Sequence, residues 1–253
     1  MTSYPGLTGR TVIITGGASG IGAAFVRAFA RCGCRVAFLD IQEEAGFHLV
    51  DSIAAEAPET PLFLACDLLD AAAIRDAFQR ASAAFGPAAV LVNNAANDQR
   101  QTFEEVTPES FDWMMGVNLR HIFFASQAVA PQMRALGYGS IINMSSIAWM
   151  GGAPRMEAYA AAKAAVVGFT NSLARELGPF RIRVNAIAPG MIITERQRQL
   201  WFQDESQIAA GVARQALPDL VTPDDVARLA LFLGSDDSRA ITKQCIVVDG
   251  GLR

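Results

Sequence analysis

Histidine is nearly missing from this chain: 253 residues contain two, His48 and His121. Catalysis resting on an imidazole base, or on a histidine-rich metal site, therefore has almost nothing to draw on. The four cysteines, Cys32, Cys34, Cys66 and Cys245, are no richer. Cys32 and Cys34 flank Gly33, but no second ligand pair stands at zinc-site spacing, so neither a metal site nor a disulfide framework is expected. Buried small hydrophobes account better for these thiols. No apolar run approaches the roughly 20 residues needed to span a bilayer, and Met1–Arg10 lacks the apolar stretch of a signal peptide. Positive charge is not in excess either: 21 basic against 25 acidic residues leave a net charge of -4. That balance argues against nucleic acid or an acidic membrane surface as partner. The expectation is a soluble, cytoplasmic protein.

What the chain does have is apolar content, 51% hydrophobic against 18% charged. Short apolar runs alternate with longer amphipathic ones, with no linker, repeat or low-complexity tract. The strand-like runs are Thr11–Thr15, Arg35–Leu39, Leu62–Ala65, Ala89–Asn93, Ser140–Met144, Arg183–Ile187 and Cys245–Val248. Helical patterns fall at Ile21–Arg31, Glu43–Glu56, Ala71–Phe85, Val117–Leu136, Glu157–Leu177 and Pro223–Leu233. Apolar strands separated by helices predict βαβ crossovers and a parallel sheet covered on both faces. The fold expected is thus α/β, a doubly wound (Rossmann) seven-stranded parallel sheet forming a single domain over residues 1–253. Such sheets bind ligands at the carboxyl ends of their strands. The connection at about 190–220 is too long for a simple turn and carries Trp201, Phe202 and Gln203, which suits a substrate lid.

Thr15-Gly16-Gly-Ala-Ser19-Gly20-Ile21-Gly22 follows the first strand and opens the first helix. Gly16, Gly20 and Gly22 permit a tight turn, close approach of a pyrophosphate and tight helix–strand packing. The N–H groups of the helix start, around Ser19 and Ile21, then face the anion. Asp40 ends the second strand, eighteen residues beyond Gly22. A carboxylate there accepts both ribose hydroxyls of NAD and repels the extra phosphate of NADP. Ile41, Gln42 and Glu43 follow it, with no basic residue, so NAD is the expected cofactor and NADP the weaker alternative. Asp67 and Leu68, after the third strand, are candidates for the adenine, with a plain helix cap as the rival role for Asp67. Asn94 and Ala95 end the fourth strand, where they would border the ribose.

Tyr159 and Lys163 stand four residues apart on a predicted helix and so share a face. Ser146 precedes the tyrosine by thirteen residues. A phenol ionises near pH 10, too high for a base at neutral pH, and a neighbouring ammonium stabilises the phenolate. Lowering that pKa to near 7 corresponds to roughly 4 kcal/mol. A hydroxyl from a strand end can orient the substrate oxygen.

Together these pieces resemble the short-chain dehydrogenase/reductase family over essentially the whole chain. The glycine loop, Asp67-Leu68, Asn93-Asn94-Ala95, Asn118, Ser146, Tyr159-x-x-x-Lys163 and Pro189-Gly190 occur in the family order; Ala96 departs from its usual glycine. The resemblance implies that Tyr159 is the general acid/base and that Lys163 lowers its pKa and binds the nicotinamide ribose. It makes Ser146, rather than its neighbour Ser145, the holder of the substrate oxygen. Asn118 would anchor a water leading from Lys163 to solvent. Pro189, Gly190, Ile192 and Thr194 would meet the nicotinamide end. It further implies a homotetramer assembled through the helices at Val117–Leu136 and Glu157–Leu177.

The stretches Asn97-Asp98-Gln99-Arg100, Val117–His121, Ser146–Trp149, Thr194–Gln197 and Leu233–Asp237 look like those of bacterial aldose 1-dehydrogenases. That similarity implies NAD-dependent oxidation of an anomeric hydroxyl to a lactone, with Asn97, Asp98 and Trp149 joining Ser146 and Tyr159 as sugar contacts. Hydrogen-bonding residues at the site mouth suit a polyhydroxylated substrate better than an apolar one. Two alternatives stand beside this reading. One is a ketoreductase or alcohol dehydrogenase acting on a non-sugar substrate. The other is a non-catalytic, redox-sensing cofactor-binding protein, which would not need all four of Asn118, Ser146, Tyr159 and Lys163.

Overall fold

A computed structural model describes residues 4–253. Seven strands form one parallel sheet: β1 (Thr11–Thr15), β2 (Arg35–Asp40), β3 (Leu62–Ala65), β4 (Ala88–Asn93), β5 (Gly139–Met144), β6 (Ile182–Pro189) and β7 (Cys245–Val248). Their order across the sheet is β3-β2-β1-β4-β5-β6-β7. The chain therefore winds outward in one direction from β1 to β3, returns, and winds in the other from β4 to β7. The carboxyl ends of β1 and β4 border the reversal, where a doubly wound sheet opens a crevice.

Alternation along the strands explains the two-sided core. Val12 and Ile14 of β1 pack with Phe25, Phe29, Val226 and Leu233 from α1 (Gly20–Arg31) and α10 (Pro223–Gly234). Ile13, pointing the other way, joins Phe78, Val129, Met133 and Leu177 from α3 (Ala71–Phe85), α5 (His121–Leu136) and α7 (Glu157–Leu177). Both faces of the sheet are dry, as continuous apolar strands require. The remaining helix on the outer β2–β3 crossover is α2 (Glu43–Ile53).

The strands and most helices fall where the sequence predicts them, and three regions add to or differ from that pattern. The helix expected from Val117 begins earlier: α4 (Pro108–Met115) leads through a π-helical turn, Gly116–Arg120, into α5. Thr107 starts it, its side chain accepting from the Ser110 N–H at 3.2 Å, with Pro108 in the first turn. The 190–220 connection carries two short helices, α8 (Glu195–Leu200) and α9 (Glu205–Val212). A further short helix, α6 (Ala148–Gly151), follows β5. Among the described residues no helix is long and apolar enough to cross a membrane.

Candidate active site

The glycine loop is shaped by contacts that no side chain could share. A Cβ on Gly22 would lie 1.8 Å from the Gly16 carbonyl oxygen, and one on Gly16, whose φ is +64°, would lie 2.6 Å from the Ala95 Cα. The loop is thereby pressed against the end of β4. Thr15 and Asn94 bolt the two ends together. The Thr15 hydroxyl accepts the Asn94 and Ala95 N–H groups at 3.0 and 3.2 Å, and the Asn94 amide donates to the carbonyls of Thr15 and Gly16 at 3.1 and 2.8 Å. Ser19, the residue before α1, makes no side-chain cap, and the first turn holds no acidic residue. The opening N–H groups of α1 are left to an external acceptor, in contrast to α3, where Asp70 caps the turn.

Asp40 is buried at the end of β2. One carboxylate oxygen accepts the Ala18 N–H at 2.9 Å and the other the Gln42 N–H at 3.0 Å, so it braces the glycine loop from the side. Ile41 beside it is exposed. Asp67 is not a helix cap: it accepts the Leu69 N–H at 2.9 Å in a local turn, and Asp70 caps α3 instead, accepting from Ala72 and Ala73. Leu68 is half-buried. At the other end of the groove Gly190 follows β6, its N–H bonded to the Val248 carbonyl at 2.9 Å. Ile192 is buried, and Thr194 caps α8 through the Gln197 N–H at 3.3 Å. The Thr194 methyl lies 3.2 Å from where a Gly20 Cβ would be, which brings the lid's first turn onto the glycine loop. An uncapped helix start, a glycine cradle and a carboxylate at the end of β2 are together the fit that a dinucleotide requires.

Tyr159 and Lys163 rise from the first turns of α7. The Lys163 ammonium is 1% exposed, lies 5.7 Å from the centre of the Tyr159 ring, and donates to the Met144 carbonyl at 2.9 Å. Burial alone drags its pKa from 10.5 down to about 7. Burial also pushes the Tyr159 hydroxyl up to about 12; its hydrogen bond with Ser146 pulls the other way, Asp98 adds to the rise and Arg196 opposes it. Ser146 thus stands beside the Tyr159 hydroxyl at the end of β5, with its own hydroxyl accepting the Ala148 N–H at 3.1 Å. Ser145 is spent on structure: its hydroxyl bonds the Lys163 carbonyl at 2.8 Å and meets the Trp149 indole N–H at 3.1 Å. The Trp149 N–H is therefore already taken, and its side chain is half-buried.

Asn118 sits in the π-helical turn, fully buried. Its amide donates to the Asn97 and Met114 carbonyls at 2.9 and 3.0 Å, and its oxygen accepts the Asn97 N–H at 3.1 Å. The Asn97 side chain receives Arg196 at 3.2 Å, and Asp98 receives both Arg196 and Gln197, the latter at 2.7 Å. Arg196 and Gln197 were not legible as site residues, because only the folded lid brings α8 to the loop after β4. His121, in the first turn of α5, is buried, with neither ring nitrogen in a side-chain hydrogen bond among the described residues.

A dinucleotide cradle at the switch point, with a phenol, a buried amine and a hydroxyl at neighbouring strand ends, defines a nicotinamide-dependent oxidoreductase. Known proteins agree. A family profile described as Enoyl-(Acyl carrier protein) reductase matches residues 16–253. The chain is 51% identical over 251 residues, covering 99% of it and 98% of the relative, to "Probable galactose dehydrogenase GalD" of Rhizobium meliloti (strain 1021). It is 44% identical over 250 residues, with 99% and 98% covered, to D-xylose 1-dehydrogenase of Caulobacter vibrioides. A solved short-chain type dehydrogenase/reductase from Mycobacterium ulcerans superposes with a TM-score of 0.92 at 26% identity, covering 99% of this chain and 91% of that one. The chain belongs to the short-chain dehydrogenase/reductase family.

Proposed function

We propose that this protein oxidises the anomeric C1 hydroxyl of a cyclic aldose to the aldonolactone, with NAD as the cofactor. The observation that carries the reading is its full-length similarity to two relatives named for galactose and xylose oxidation. The edge formed by Asn97, Asp98, Arg196 and Gln197, bonded to one another, is polar rather than apolar, which supports a hydroxyl-rich substrate over an apolar one.

In this reading Gly16, Ser19, Gly20, Ile21 and Gly22 hold the pyrophosphate, and Asp40 with Ile41 the adenosine ribose. Asp67 and Leu68 flank the adenine, Asn94 and Ala95 border the ribose, and Pro189, Gly190, Ile192 and Thr194 line the nicotinamide end. When bound, NAD supplies the hydride acceptor and a positive charge beside the phenol. Tyr159 takes the C1 hydroxyl proton while Ser146 holds the same oxygen. With its hydroxyl pushed up to about 12 by burial, Tyr159 is a poor phenolate unless cationic charge gathers around it. Lys163 provides one such charge, and Asn118 fixes the loop from which its proton path leaves. The Trp149 ring and Asn97 border the sugar. Exposed Phe123 on α5, its ring tilted against Phe169 on α7 with centres 5.5 Å apart, lies on the surface through which we place a homotetramer; sedimentation as a monomer at micromolar concentration would exclude that assembly.

The test is NADH formation from NAD with aldopentoses, aldohexoses and 6-deoxy sugars, beside simple alcohols and polyols. Turnover confined to aldoses with lactone product is expected. Silence on every aldose, with NAD binding intact, would remove the sugar assignment and leave the dehydrogenase.

A further inference from the structure

The lid helix α8 is held at both ends by one loop, the segment that leaves β4. At its amino end Arg196 and Gln197 each engage one carboxylate oxygen of Asp98, and Arg196 also reaches the Asn97 side chain. At its carboxyl end the Arg100 guanidinium stacks over the Trp201 ring, 4.3 Å from its centre, and the Arg100 Nε and Trp201 Nε1 are buried in that contact. Thr194, just before α8, rests on Gly20 of the cofactor loop. Asn97 in turn grips the side chain of Asn118 through its backbone. A single chain of contacts thus runs from the floor of the site, through Asn97 and Asp98, into the lid.

We propose that Asp98 and Arg100 are positioning residues that clasp α8 over the Tyr159–Ser146 site through Arg196, Gln197 and Trp201, and that Asp98 is not itself a sugar ligand. The inference rests on the aldose reading for its kinetic consequence, not for its structural one. Asp98 has 15% of its side chain exposed and each of its oxygens is engaged by a donor from α8, so its charge is committed to the lid and little of it is open to a sugar hydroxyl. Arg196, at 46%, faces solvent on its outer side and can swing away when the lid opens. An exposed ion pair alone would hold little; the second tie at Arg100 and Trp201 stops the helix from pivoting about the first. The clasp also sits within the field of the Tyr159 hydroxyl, where Asp98 and Arg196 act with opposite sign. Closing the lid as a neutral pair leaves the phenol unchanged; breaking the pair does not.

Hydrogen exchange on the full-length protein tests the clasp without any substrate. In Asp98→Asn and in Arg196→Met, exchange at amides 198–202, in α8 and the turn that ends it, is expected to rise about tenfold, the effect of losing a charge-assisted bond. Exchange in β1 and β4 should stay at the parent rate, which also reports that both variants fold. With the aldose identified by turnover, both variants should raise KM while kcat holds or increases as product leaves faster. The acid limb of kcat/KM, set by Tyr159 as base, should move up in pH for Arg196→Met, where Asp98 is left uncompensated, and down for Asp98→Asn. Unchanged lid exchange in both variants would overturn the clasp. So would a raised KM in Asp98→Asn alone with the lid still protected, because that pattern belongs to a direct sugar ligand. Raised lid exchange with silence on every aldose would uphold the clasp and defeat only the sugar reading.

Discussion

Replacing Lys163 by methionine should stabilise the protein at neutral pH while ending its proposed chemistry. The lysine is 1% exposed, and burial lowers its pKa from 10.5 to about 7. An unfolded lysine keeps its proton until about pH 10.4, so across the interval between the two pKa values the unfolded chain binds more protons than the folded one. Stability contributed by the site is therefore absent below pH 7, grows as pH rises, and is complete only above the unfolded pKa. The full shift corresponds to about 5 kcal/mol of destabilisation below pH 7. Methionine of similar length removes that term but leaves the Met144 carbonyl without its 2.9 Å donor, which costs about 1–3 kcal/mol. The variant should be about 2–4 kcal/mol more stable near pH 6.5, a rise in Tm of about 5–15 °C for a chain of this size. Near pH 9.5 most of the desolvation term has gone, and the advantage should shrink by about 3 kcal/mol. Urea unfolding of the cofactor-free parent and variant at both pH values reads the difference directly. A variant less stable than the parent near pH 6.5, or a gap that does not change with pH, would refute the reasoning.

Tyr159→Phe should lower kcat by about 10²–10⁴-fold, the usual contribution of a positioned acid–base group, while fluorescence titration finds NAD binding unchanged. Gly22→Ala places a methyl 1.8 Å from the Gly16 carbonyl, so the loop must open; NAD affinity should fall below detection in the same titration even where circular dichroism shows a folded sheet. Asp40→Asn removes the charge that repels a 2′-phosphate, and the ratio of kcat/KM for NAD over NADP should drop about tenfold or more. A ratio that does not move would take cofactor choice away from Asp40.

The framework was readable because each of its signals is local. Apolar runs of strand length, the glycine loop after β1 and the four-residue spacing of Tyr159 and Lys163 all lie within single elements, and the structure holds them where the pattern implies. What escaped prediction depends on distance in the chain. The start of α4 was hidden because its capping signal, Thr107 with Pro108, precedes a run whose apolar periodicity strengthens only after Val117, and because a π-helical turn breaks the register at Asn118. Asp70 outcompetes Asp67 for the α3 cap through position: it stands next to the first helical residue, and Asp67 turns back on Leu69. Asp98 and Arg196 are 98 residues apart, and no spacing rule joins them.

The same distinction explains how loops can carry a site that tolerates little displacement. The ends of β1, β4 and β5 are loose ends only in sequence. Thr15 and Asn94 lock the first two, and beneath them the Asn93 amide donates to the Asn143 oxygen at 2.8 Å, while the Asn143 amide donates to the Thr170 hydroxyl of α7 at 2.9 Å. All three of those residues are fully buried; the Asn93 oxygen finds no partner there, but both amide nitrogens are paired only when β4, β5 and α7 keep this register, so the network favours it. The turn of α7 bearing Tyr159 and Lys163 is thereby fixed relative to the strand end bearing Ser146. The polar core beneath the site does for the proposed chemistry what the glycine cradle does for the dinucleotide: it removes the freedom to be misplaced before any ligand arrives.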